Sequence, residues 1–532
     1  MTVAANGIKL SRKFDSEAGM LRIVHHALLF SVSAILCGTA LAQQANSCAD
    51  LASVKLPGVE ITKVAVVPAG TANPPFGIGY AGPVPQHCRV DGVINHRTGV
   101  DGQKFGIGFA VALPENWNGD FLMQGGGGSN GFVWPPLGGT AAGKTPGLLR
   151  GFAVASTDSG HTSAQPFDFS FMKDQQAMLD FAYAANPKVA EVAKQIIARY
   201  YGKPVAYSYF VGCSTGGREG MILSEQFPTA FNGIVSGAPA RRTGYSNIAA
   251  MLWPAITYNQ IAPKDSSGKP IVADAITDAD RKLFMDALLK QCDVKDGVID
   301  GMIFDSLGCD FDPAVLTCKG GKTDACLAPE KVAAIKKVFG GPKDSRGYQI
   351  YPGFLYDTGI ANTVGIRGLL AIGPGPFGPP TTAMSADFDK AEEQALQPLI
   401  DALSTNLTTF SGNGGKLIFY HGNSDPWFST LDTLGYYKAM ADANGGLDAV
   451  SKWSRMYLVP GMGHCGGGPA ALDDFDMLGA VVDWVEKGAA PESVIATGKA
   501  FPGRSRPLCP YPKHAQYKGQ GNPENADNFI CQ

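Results

Sequence analysis

The feature that most constrains the fold of this chain is a glycine-flanked serine between a strand pattern and a helix pattern. Residues 206–211 form a short apolar run typical of a buried strand, and residues 218–226 are predicted to be helical. Between them lies Gly212-Cys213-Ser214-Thr215-Gly216. Such a sharp turn presents a serine at the end of a sheet strand, and the glycines relieve crowding around its strained backbone.

The segments around this turn alternate between strand and helix patterns, which favours a parallel sheet covered by helices on both faces. Apolar runs predict strands at residues 104–113, 120–124, 151–156, 231–237, 416–420 and 455–459. Three- and four-residue apolar spacing predicts helices at 174–200, 278–291, 328–338 and 471–487. The alternation breaks between 241 and 410, where Gly/Pro/Asp-rich loops predominate and residues 373–380 cannot form regular structure.

The first 42 residues have the pattern of an export signal. Arg22, His25 and His26 precede an apolar run at 27–36, and Ala40-Leu41-Ala42 is a small-x-small cleavage site. The run is too short to span a bilayer comfortably, so no membrane anchor is expected. The formal net charge of −3 favours neither nucleic acid nor an anionic membrane as a partner. The mature protein is therefore expected to be secreted or periplasmic.

Ten of the eleven cysteines lie after this segment, and an even number in an exported protein indicates disulfides. The sequence does not fix their connectivity. Pairing neighbours along the chain joins Cys48 with Cys88, Cys292 with Cys309, Cys318 with Cys326, and Cys509 with Cys531, which leaves Cys213 and Cys465 for one long-range bridge. A zinc site is a weak alternative, because the chain has no Cys-x-x-Cys or His-rich pairing.

Three residues have the types and the chain order of a serine-hydrolase triad. A serine nucleophile needs an imidazole base and a carboxylate that orients the imidazole, in the order Ser, Asp or Glu, His. Ser214 is followed by Asp425, just after one predicted strand, and by His464, just after another. An ordinary turn serine and a turn aspartate before proline are the alternatives, and His421 is a competing base that precedes the acid. The predicted triad is Ser214, Asp425 and His464.

An oxyanion hole needs two N–H donors directed at the developing charge. The backbone N–H of Thr215 is one candidate, because it follows the nucleophile. The second is expected from the glycine loop at residues 124–131, with Gly128 chosen among several glycines. A flexible surface loop is the alternative interpretation of this glycine run.

Together these motifs resemble the tannase and feruloyl esterase family of α/β-hydrolases, which includes mono(2-hydroxyethyl) terephthalate hydrolases. The resemblance rests on Cys213-Ser214, on Asp425 and on His464-Cys465, and it extends over nearly the whole mature chain. It implies that Cys213 and Cys465 are bridged, in an arrangement of five disulfides. The break in the strand–helix pattern predicts an inserted lid domain at 241–410, a position that the resemblance shares, so an α/β-hydrolase domain is expected at 43–240 and 411–532, after the signal peptide at 1–42. Residues 156–161 also resemble a family segment near the site.

The resemblance also implies a structural calcium site in the lid. In the matching stretch, Asp293, Asp296 and Asp300 would supply side-chain oxygens, and Val298 and Met302 would supply backbone carbonyls. Three carboxylates and two glycines in a tight loop suit a hard cation, although the spacing is not that of an EF-hand. A solvated acidic turn is the alternative.

The expected function is a serine carboxylic-ester hydrolase that acts on esters of aromatic acids through an acyl-enzyme. A feruloyl esterase is the first expectation, with a tannase or a mono(2-hydroxyethyl) terephthalate hydrolase as alternatives; a non-catalytic binding protein and a serine peptidase are more remote. The expected partner is a small aromatic ester, including esters attached to plant polysaccharide. Candidate ring contacts are Trp134, Trp253, Phe377 and Trp427, and candidate lid cations for a substrate carboxylate are Arg346 and Arg367.

Overall fold

The computed structural model describes residues 47–73, 80–321, 323–371 and 387–532. The predicted signal peptide at 1–42, the proline-rich run at 373–380 and Phe377 lie outside these residues. Residues Gln44–Gln532 group into one compact unit. Across the described ranges, every helix is too short or too polar to cross a membrane.

A nine-stranded mixed sheet forms the centre of the fold. The strands of the chain are β1 (Val59–Val67), β2 (Gly70–Ala72), β3 (Gly82–Val84), β4 (His87–Thr98), β5 (Lys104–Pro114), β6 (Phe121–Gln124), β7 (Ala153–Thr157), β8 (Ser208–Cys213), β9 (Gly233–Gly237), β10 (Lys416–Gly422), β11 (Ser454–Val459), β12 (Asp474–Phe475), β13 (Val494–Thr497), β14 (Arg506–Leu508), β15 (Ala515–Tyr517) and β16 (Phe529–Cys531). The order across the central sheet is β1-β4-β5-β7-β6-β8-β9-β10-β11.

The expected parallel arrangement holds for only part of this sheet. The strands from β7 through β6 and β8 to β11 are parallel to one another. The pairs β1/β4, β4/β5 and β5/β7 are antiparallel. The short Val100–Gly102 turn reverses the chain between β4 and β5, whereas parallel neighbours need a longer crossover.

Helices cover both faces of the sheet. The α-helices are α1 (Gln175–Leu179), α2 (Ala185–Tyr201), α3 (Thr215–Gln226), α4 (Thr243–Asn247), α5 (Trp253–Asn259), α6 (Asp278–Cys292), α7 (Pro329–Phe339), α8 (Phe388–Ala395), α9 (Thr408–Gly412), α10 (Thr430–Ala443), α11 (Leu447–Val450) and α12 (Met477–Lys487). Successive strand residues alternate between two apolar clusters. Phe210 packs with residues of α2, α3 and α10, and its neighbours Tyr209 and Val211 pack with α12.

Two predicted helices differ from the observed ones. The helix predicted at 174–200 is interrupted by a π-helical turn, Asp180–Ala184, between α1 and α2. The last helix begins at Met477, because β12 occupies part of the preceding stretch and the Asp476 side chain caps the helix by accepting a hydrogen bond from the Gly479 N–H.

The segment between β9 and β10, here called the insertion (residues 241–410), has its own apolar core. Phe284 and Leu288 of α6 pack with Ile335 and Val338 of α7, and all four are buried. Two of the five disulfides, Cys292–Cys309 and Cys318–Cys326, lie within it. The other three join Cys48 with Cys88, Cys213 with Cys465, and Cys509 with Cys531. The observed pairs are those expected from the sequence.

Candidate active site

Ser214 lies on the turn between β8 and α3 in a strained backbone conformation. Its φ and ψ are 62° and −123°, which a non-glycine residue rarely adopts. A Cβ atom added to Gly212 would lie 2.5 Å from the backbone of Gly216, so a side chain there would collide with the first turn of α3. The glycines therefore permit the turn that presents Ser214 to the cavity described below.

Asp425 and His464 form a buried hydrogen-bonded pair at the ends of β10 and β11. His464 Nδ1 lies 2.7 Å from Asp425 Oδ2. The other carboxylate oxygen, Oδ1, accepts backbone N–H bonds from Trp427 at 2.9 Å and from Phe428 at 3.1 Å. Burial alone would raise the pKa of Asp425, but its two histidine neighbours, His464 and His421, bring it below the ordinary value. An ionised Asp425 favours the imidazole tautomer in which Nδ1 carries the proton and Nε2 can accept one.

His421 is a second partner of the same carboxylate. Its Nε2 lies 3.3 Å from Asp425 Oδ2 and 3.0 Å from the Phe428 carbonyl oxygen, and its Nδ1 lies 2.9 Å from Thr433 Oγ1. Both ring nitrogens are therefore engaged, and the side chain is fully buried. This arrangement fits a support for Asp425 better than a base for Ser214. In the sequence, His421 is recognisable only as a competing base.

The Cys213–Cys465 disulfide joins the residue before Ser214 to the residue after His464. Their Cα atoms are 5.9 Å apart although 252 positions separate them in the sequence. Cys465 Sγ lies 3.6 Å from His464 Nε2. The ring centroids of Trp427 and Phe428 lie 4.8 and 5.2 Å from that of His464. The bridge and the two rings confine the imidazole beside the turn from β8 to α3 that carries Ser214, here called the elbow.

The glycine loop lies against the elbow. Thr215 Oγ1 donates a 2.6 Å hydrogen bond to the Gly128 carbonyl oxygen, and the Gly216 N–H donates to the Gly126 carbonyl oxygen. Throughout the described ranges, the backbone N–H groups of Thr215 and Gly128 have no protein acceptor. Both residues line the cavity beside Ser214. Gly128 has a φ of +60°, and a Cβ atom there would lie 2.2 Å from the Pro166 carbonyl oxygen, so only glycine is accommodated.

A buried carboxylate that the sequence did not mark, Glu219, accepts hydrogen bonds from the glycine loop. Glu219 Oε2 accepts the Gly126 N–H at 3.0 Å, and its Oε1 accepts from Asn130 Nδ2 at 2.7 Å. Ser159 Oγ lies 3.4 Å from the same Oε1. Ser159 belongs to the 156–161 segment, which was expected near the site. The neighbouring Asp158 is buried, and burial raises its pKa to about 8. No local motif marks Glu219, because its partners are 60 or more positions away.

A mostly apolar cavity of about 240 Å³ opens at Ser214. Its wall includes five rings, those of Phe167, Phe169, Phe181, Trp427 and Phe428. Of the candidate ring contacts, Trp427 lines the cavity. Trp134 and Trp253 do not, and Trp253 instead donates from Nε1 to the Lys337 carbonyl oxygen.

Arg218 is the one cationic side chain that the described residues contribute to this wall. It is fully buried, and its guanidinium donates to the carbonyl oxygens of Phe181, Ala182 and Ile400. Neither candidate lid cation lines the cavity: Arg346 is exposed and paired with Asp344, and Arg367 is exposed.

The predicted calcium ligands lie in one loop of the insertion. Asp293 accepts the N–H groups of Asp300 and Gly301, and Asp296 accepts those of Val298 and Phe304. Burial raises the pKa of Asp293, and it raises that of Asp296 to about 7. Asp300 instead contacts Arg504 and Arg506.

Two observations bear on whether this loop suits a cation. Within the described ranges, neither Asp293 nor Asp296 has a cationic side chain within 4.0 Å, so the loop holds buried acidic charge that its own side chains do not neutralise. The same ranges hold no group of three or more His, Cys, Asp or Glu side chains gathered as metal ligands. The carboxylate oxygens of Asp293 and Asp296 are donors of the type that a hard cation takes, but here they accept backbone N–H groups, and Asp300 pairs with two arginines.

Comparison with known proteins places the chain in a family. The family model for "Tannase and feruloyl esterase" matches residues 88–368 and 380–532. The mono(2-hydroxyethyl) terephthalate hydrolase of Piscinibacter sakaiensis is 37% identical over 85% of each chain. A probable feruloyl esterase of Arthroderma benhamiae is 31% identical over 96% of this chain and 97% of the relative.

A solved structure agrees with these sequence matches. The crystal structure of feruloyl esterase B from Aspergillus oryzae superposes with a TM-score of 0.74 at 26% identity, covering 91% of this chain and 99% of that one. The sheet, the elbow turn and the five disulfides are thus found in a chain with close structural and sequence relatives. The protein belongs to the tannase and feruloyl esterase family and has the α/β-hydrolase fold.

Proposed function

We propose that this protein is a serine carboxylic-ester hydrolase acting on esters of aromatic acids, with a feruloyl esterase as the first assignment. The observation that carries the proposal is the buried hydrogen bond between Asp425 and His464. The Cys213–Cys465 disulfide holds His464 near Ser214, which has a strained backbone and lines a cavity with five aromatic rings. The family's esterases support the reaction class.

In the proposed reaction, His464 Nε2 takes the proton of Ser214 Oγ as that oxygen attacks the ester carbonyl carbon. The N–H groups of Thr215 and Gly128 stabilise the resulting oxyanion. The tetrahedral intermediate then collapses, and the alcohol leaves with the proton from His464. Water, deprotonated by the same imidazole, attacks the acyl-enzyme, releases the acid and restores Ser214. Asp425 keeps the imidazole oriented and stabilises its protonated form.

The cavity favours an aromatic acyl group without a free carboxylate. Its rings offer faces and edges to an aromatic substrate. The guanidinium of Arg218 is already bonded to three carbonyl oxygens, so in the described part of the wall a substrate carboxylate would find no free cationic partner. Of the segments outside the described ranges, residues 74–79 and 372–386 contain no Lys or Arg, whereas residue 322 is a lysine and residues 1–46 contain Lys9, Arg12, Lys13 and Arg22. A feruloyl-type or galloyl-type ester is therefore preferred over a terephthalate half-ester.

A mono(2-hydroxyethyl) terephthalate hydrolase remains the second candidate, because the relative with that name is 37% identical to this chain. A direct comparison of the neutral and the anionic ester separates the two assignments.

We also propose that the loop at residues 293–302 holds a structural calcium ion. Asp293, Asp296 and Asp300 would supply carboxylate oxygens, and Val298 and Met302 backbone carbonyls. The support is the burial of Asp293 and Asp296 in one loop, where no described cationic side chain lies within 4.0 Å of either carboxylate. The ion would stiffen the insertion, which we propose acts as a substrate-selecting lid.

The five disulfides support an oxidising compartment, so we propose that the mature protein is secreted or periplasmic. In that setting the ester could be carried by a plant polysaccharide.

The test is hydrolysis of methyl ferulate, methyl gallate and mono(2-hydroxyethyl) terephthalate by the purified mature protein, beside Ser214→Ala. Turnover of an aromatic ester by wild type alone, with methyl ferulate or methyl gallate preferred, is expected. Turnover of all three esters by Ser214→Ala at the wild-type rate, or of none by folded wild type, would overturn the assignment.

A further inference from the structure

The insertion contributes one fully buried carboxylate that reaches the loops carrying two triad residues. Asp357 Oδ2 accepts the Ser424 hydroxyl at 2.6 Å and the Gly461 N–H at 2.7 Å. Ser424 directly precedes Asp425, and Gly461 precedes His464 by three positions. A single oxygen atom therefore joins the acid loop to the histidine loop.

The backbone beside Asp357 is wedged between the same two loops. The Gly359 N–H donates to Ser424 Oγ at 2.8 Å. A Cβ atom added to Gly359 would lie 2.5 Å from the Gly461 carbonyl oxygen and 2.7 Å from Ser424 Cβ. This segment of the insertion thus contacts both loops at a distance that leaves no room for a side chain.

This contact complements the disulfide. The Cys213–Cys465 bridge restrains the base relative to the nucleophile, but it does not attach the acid loop. The acid loop contacts the histidine loop directly through the Ser424 N–H, which donates to the Met462 carbonyl oxygen at 3.0 Å. The Asp357 contact adds a second link between these loops, through the Ser424 hydroxyl and the Gly461 N–H.

Stability alone does not account for this carboxylate. Asp357 is completely buried, no described cationic side chain lies within 4.0 Å of it, and its Oδ1 has no hydrogen-bond partner. Burial raises its pKa. A buried, incompletely satisfied acid costs free energy relative to an apolar residue of similar size.

We propose that Asp357 is a positioning residue for the catalytic triad, supplied by the insertion, which aligns Asp425 with His464 by binding Ser424 and Gly461. This inference rests on the proposed serine-esterase function. It gives the insertion a role in kcat, beyond a role in choosing substrate.

The test compares Asp357→Leu, Asp357→Asn and the control Asp280→Leu in the full mature protein with methyl ferulate. Asp280 is also a buried carboxylate of the insertion, but its partners, Thr277 and Lys331, lie within the insertion. At a temperature where all variants are folded, Asp357→Leu is expected to lower kcat about 10- to 100-fold with KM changed less than about twofold, since small misplacements of catalytic groups have such effects. Asp357→Asn retains an oxygen acceptor and should restore most of the kcat, and Asp280→Leu should retain the wild-type kcat.

A second measurement does not need a substrate. The proton shared by His464 Nδ1 and Asp425 gives a low-field proton resonance, which should be lost or broadened in Asp357→Leu and kept in Asp280→Leu. An unchanged kcat and an unchanged resonance in folded Asp357→Leu would overturn the proposal, as would an equal loss of kcat in Asp280→Leu. If wild type hydrolyses no ester, the proposed function fails, and the resonance still decides whether Asp357 positions the pair.

Discussion

Buried aspartates occur in two regions of this molecule, and their surroundings shift the carboxylate pKa in opposite directions. At the end of β10, Asp425 faces His464 and His421, and these rings hold its pKa below the ordinary value despite burial. In the insertion, Asp293 and Asp296 face backbone N–H groups and a neighbouring carboxylate, and their pKa is raised. A buried carboxylate stays ionised where protein side chains supply the positive partner. Where no protein side chain supplies a positive partner, a buried carboxylate is neutralised by a bound cation or by protonation.

The largest effect that separates the two regions is expected from Asp425→Asn. An amide would leave the geometry nearly intact but would favour the wrong imidazole tautomer, so kcat should fall by about 10⁴-fold, as for the same change in other serine-hydrolase triads. The control is Asp432→Asn, which removes a buried carboxylate paired with Arg241 and Arg242 outside the triad. A fall in kcat of the same size in the control would remove the distinction between the two aspartates.

Removal of calcium should affect the second region and leave the first almost unchanged. A ligand present at about 100 times its Kd stabilises the native state by about 2.7 kcal/mol, so in a chain of this length a chelator that removes the proposed calcium should lower Tm by about 2–3 °C. Asp296→Asn should remove most of this shift. Calorimetry with and without chelator, beside kcat measured well below Tm, checks the prediction. An unchanged Tm, or a loss of kcat without a loss of stability, would contradict a structural ion.

Replacement of the second histidine sharpens the account of Asp425. His421→Phe removes a hydrogen bond to an ionised group, which should lower the free energy of unfolding by about 1.5–3 kcal/mol. The loss of kcat should be much smaller than in Asp425→Asn, because His464 remains. Denaturant unfolding and steady-state kinetics on the same sample measure both. A loss of kcat equal to that of His464→Ala would instead identify His421 as the base.

The smallest expected effect is a difference in acid stability. Because folding lowers the pKa of Asp425, its contribution to stability is present above the ordinary pKa near 4 and is lost as the pH falls below it toward the lowered value. Between about pH 5 and pH 3, wild type should therefore lose more stability than Asp425→Asn. Unfolding curves at both pH values measure the difference. Equal losses in the two proteins would mean that Asp425 is not ionised by its histidine partners.

The observed disulfide pairs agree with the expected ones, but the Cys213–Cys465 bridge, across 252 positions, was expected only as the pair left over from local pairing and from the family resemblance. The triad stays a prediction, and it could be made because its signals are local. Ser214, Asp425 and His464 each follow an apolar strand pattern, and Cys213 and Cys465 flank two of them. The parallel part of the sheet followed from the strand–helix alternation. The antiparallel edge from β1 to β5 was not predicted, although Asp101-Gly102 in the turn between β4 and β5 is a sequence signal for a hairpin.

Two buried carboxylates near the site, Glu219 and Asp357, could not be predicted. Their hydrogen-bond partners lie 60 or more positions away, and no spacing rule encodes such contacts. The aromatic wall has the same origin, since Phe167, Phe181 and Phe428 meet only after folding. These side chains come together at the site through contacts formed on folding, and no sequence pattern indicates those contacts. His421 lies only four positions before Asp425, but the sequence marked it as a competing base and not as a partner of the acid.

The most direct test of the central claim is intact-mass analysis after reaction with an aryl organophosphate, which phosphorylates an activated serine. Wild type should gain one covalent adduct, mapped by peptide mass to Ser214, and Asp425→Asn should gain it far more slowly. Ser214→Ala and His464→Ala should gain none. An adduct at another residue, or no adduct on folded wild type, would contradict a nucleophile at Ser214 activated by His464 and Asp425.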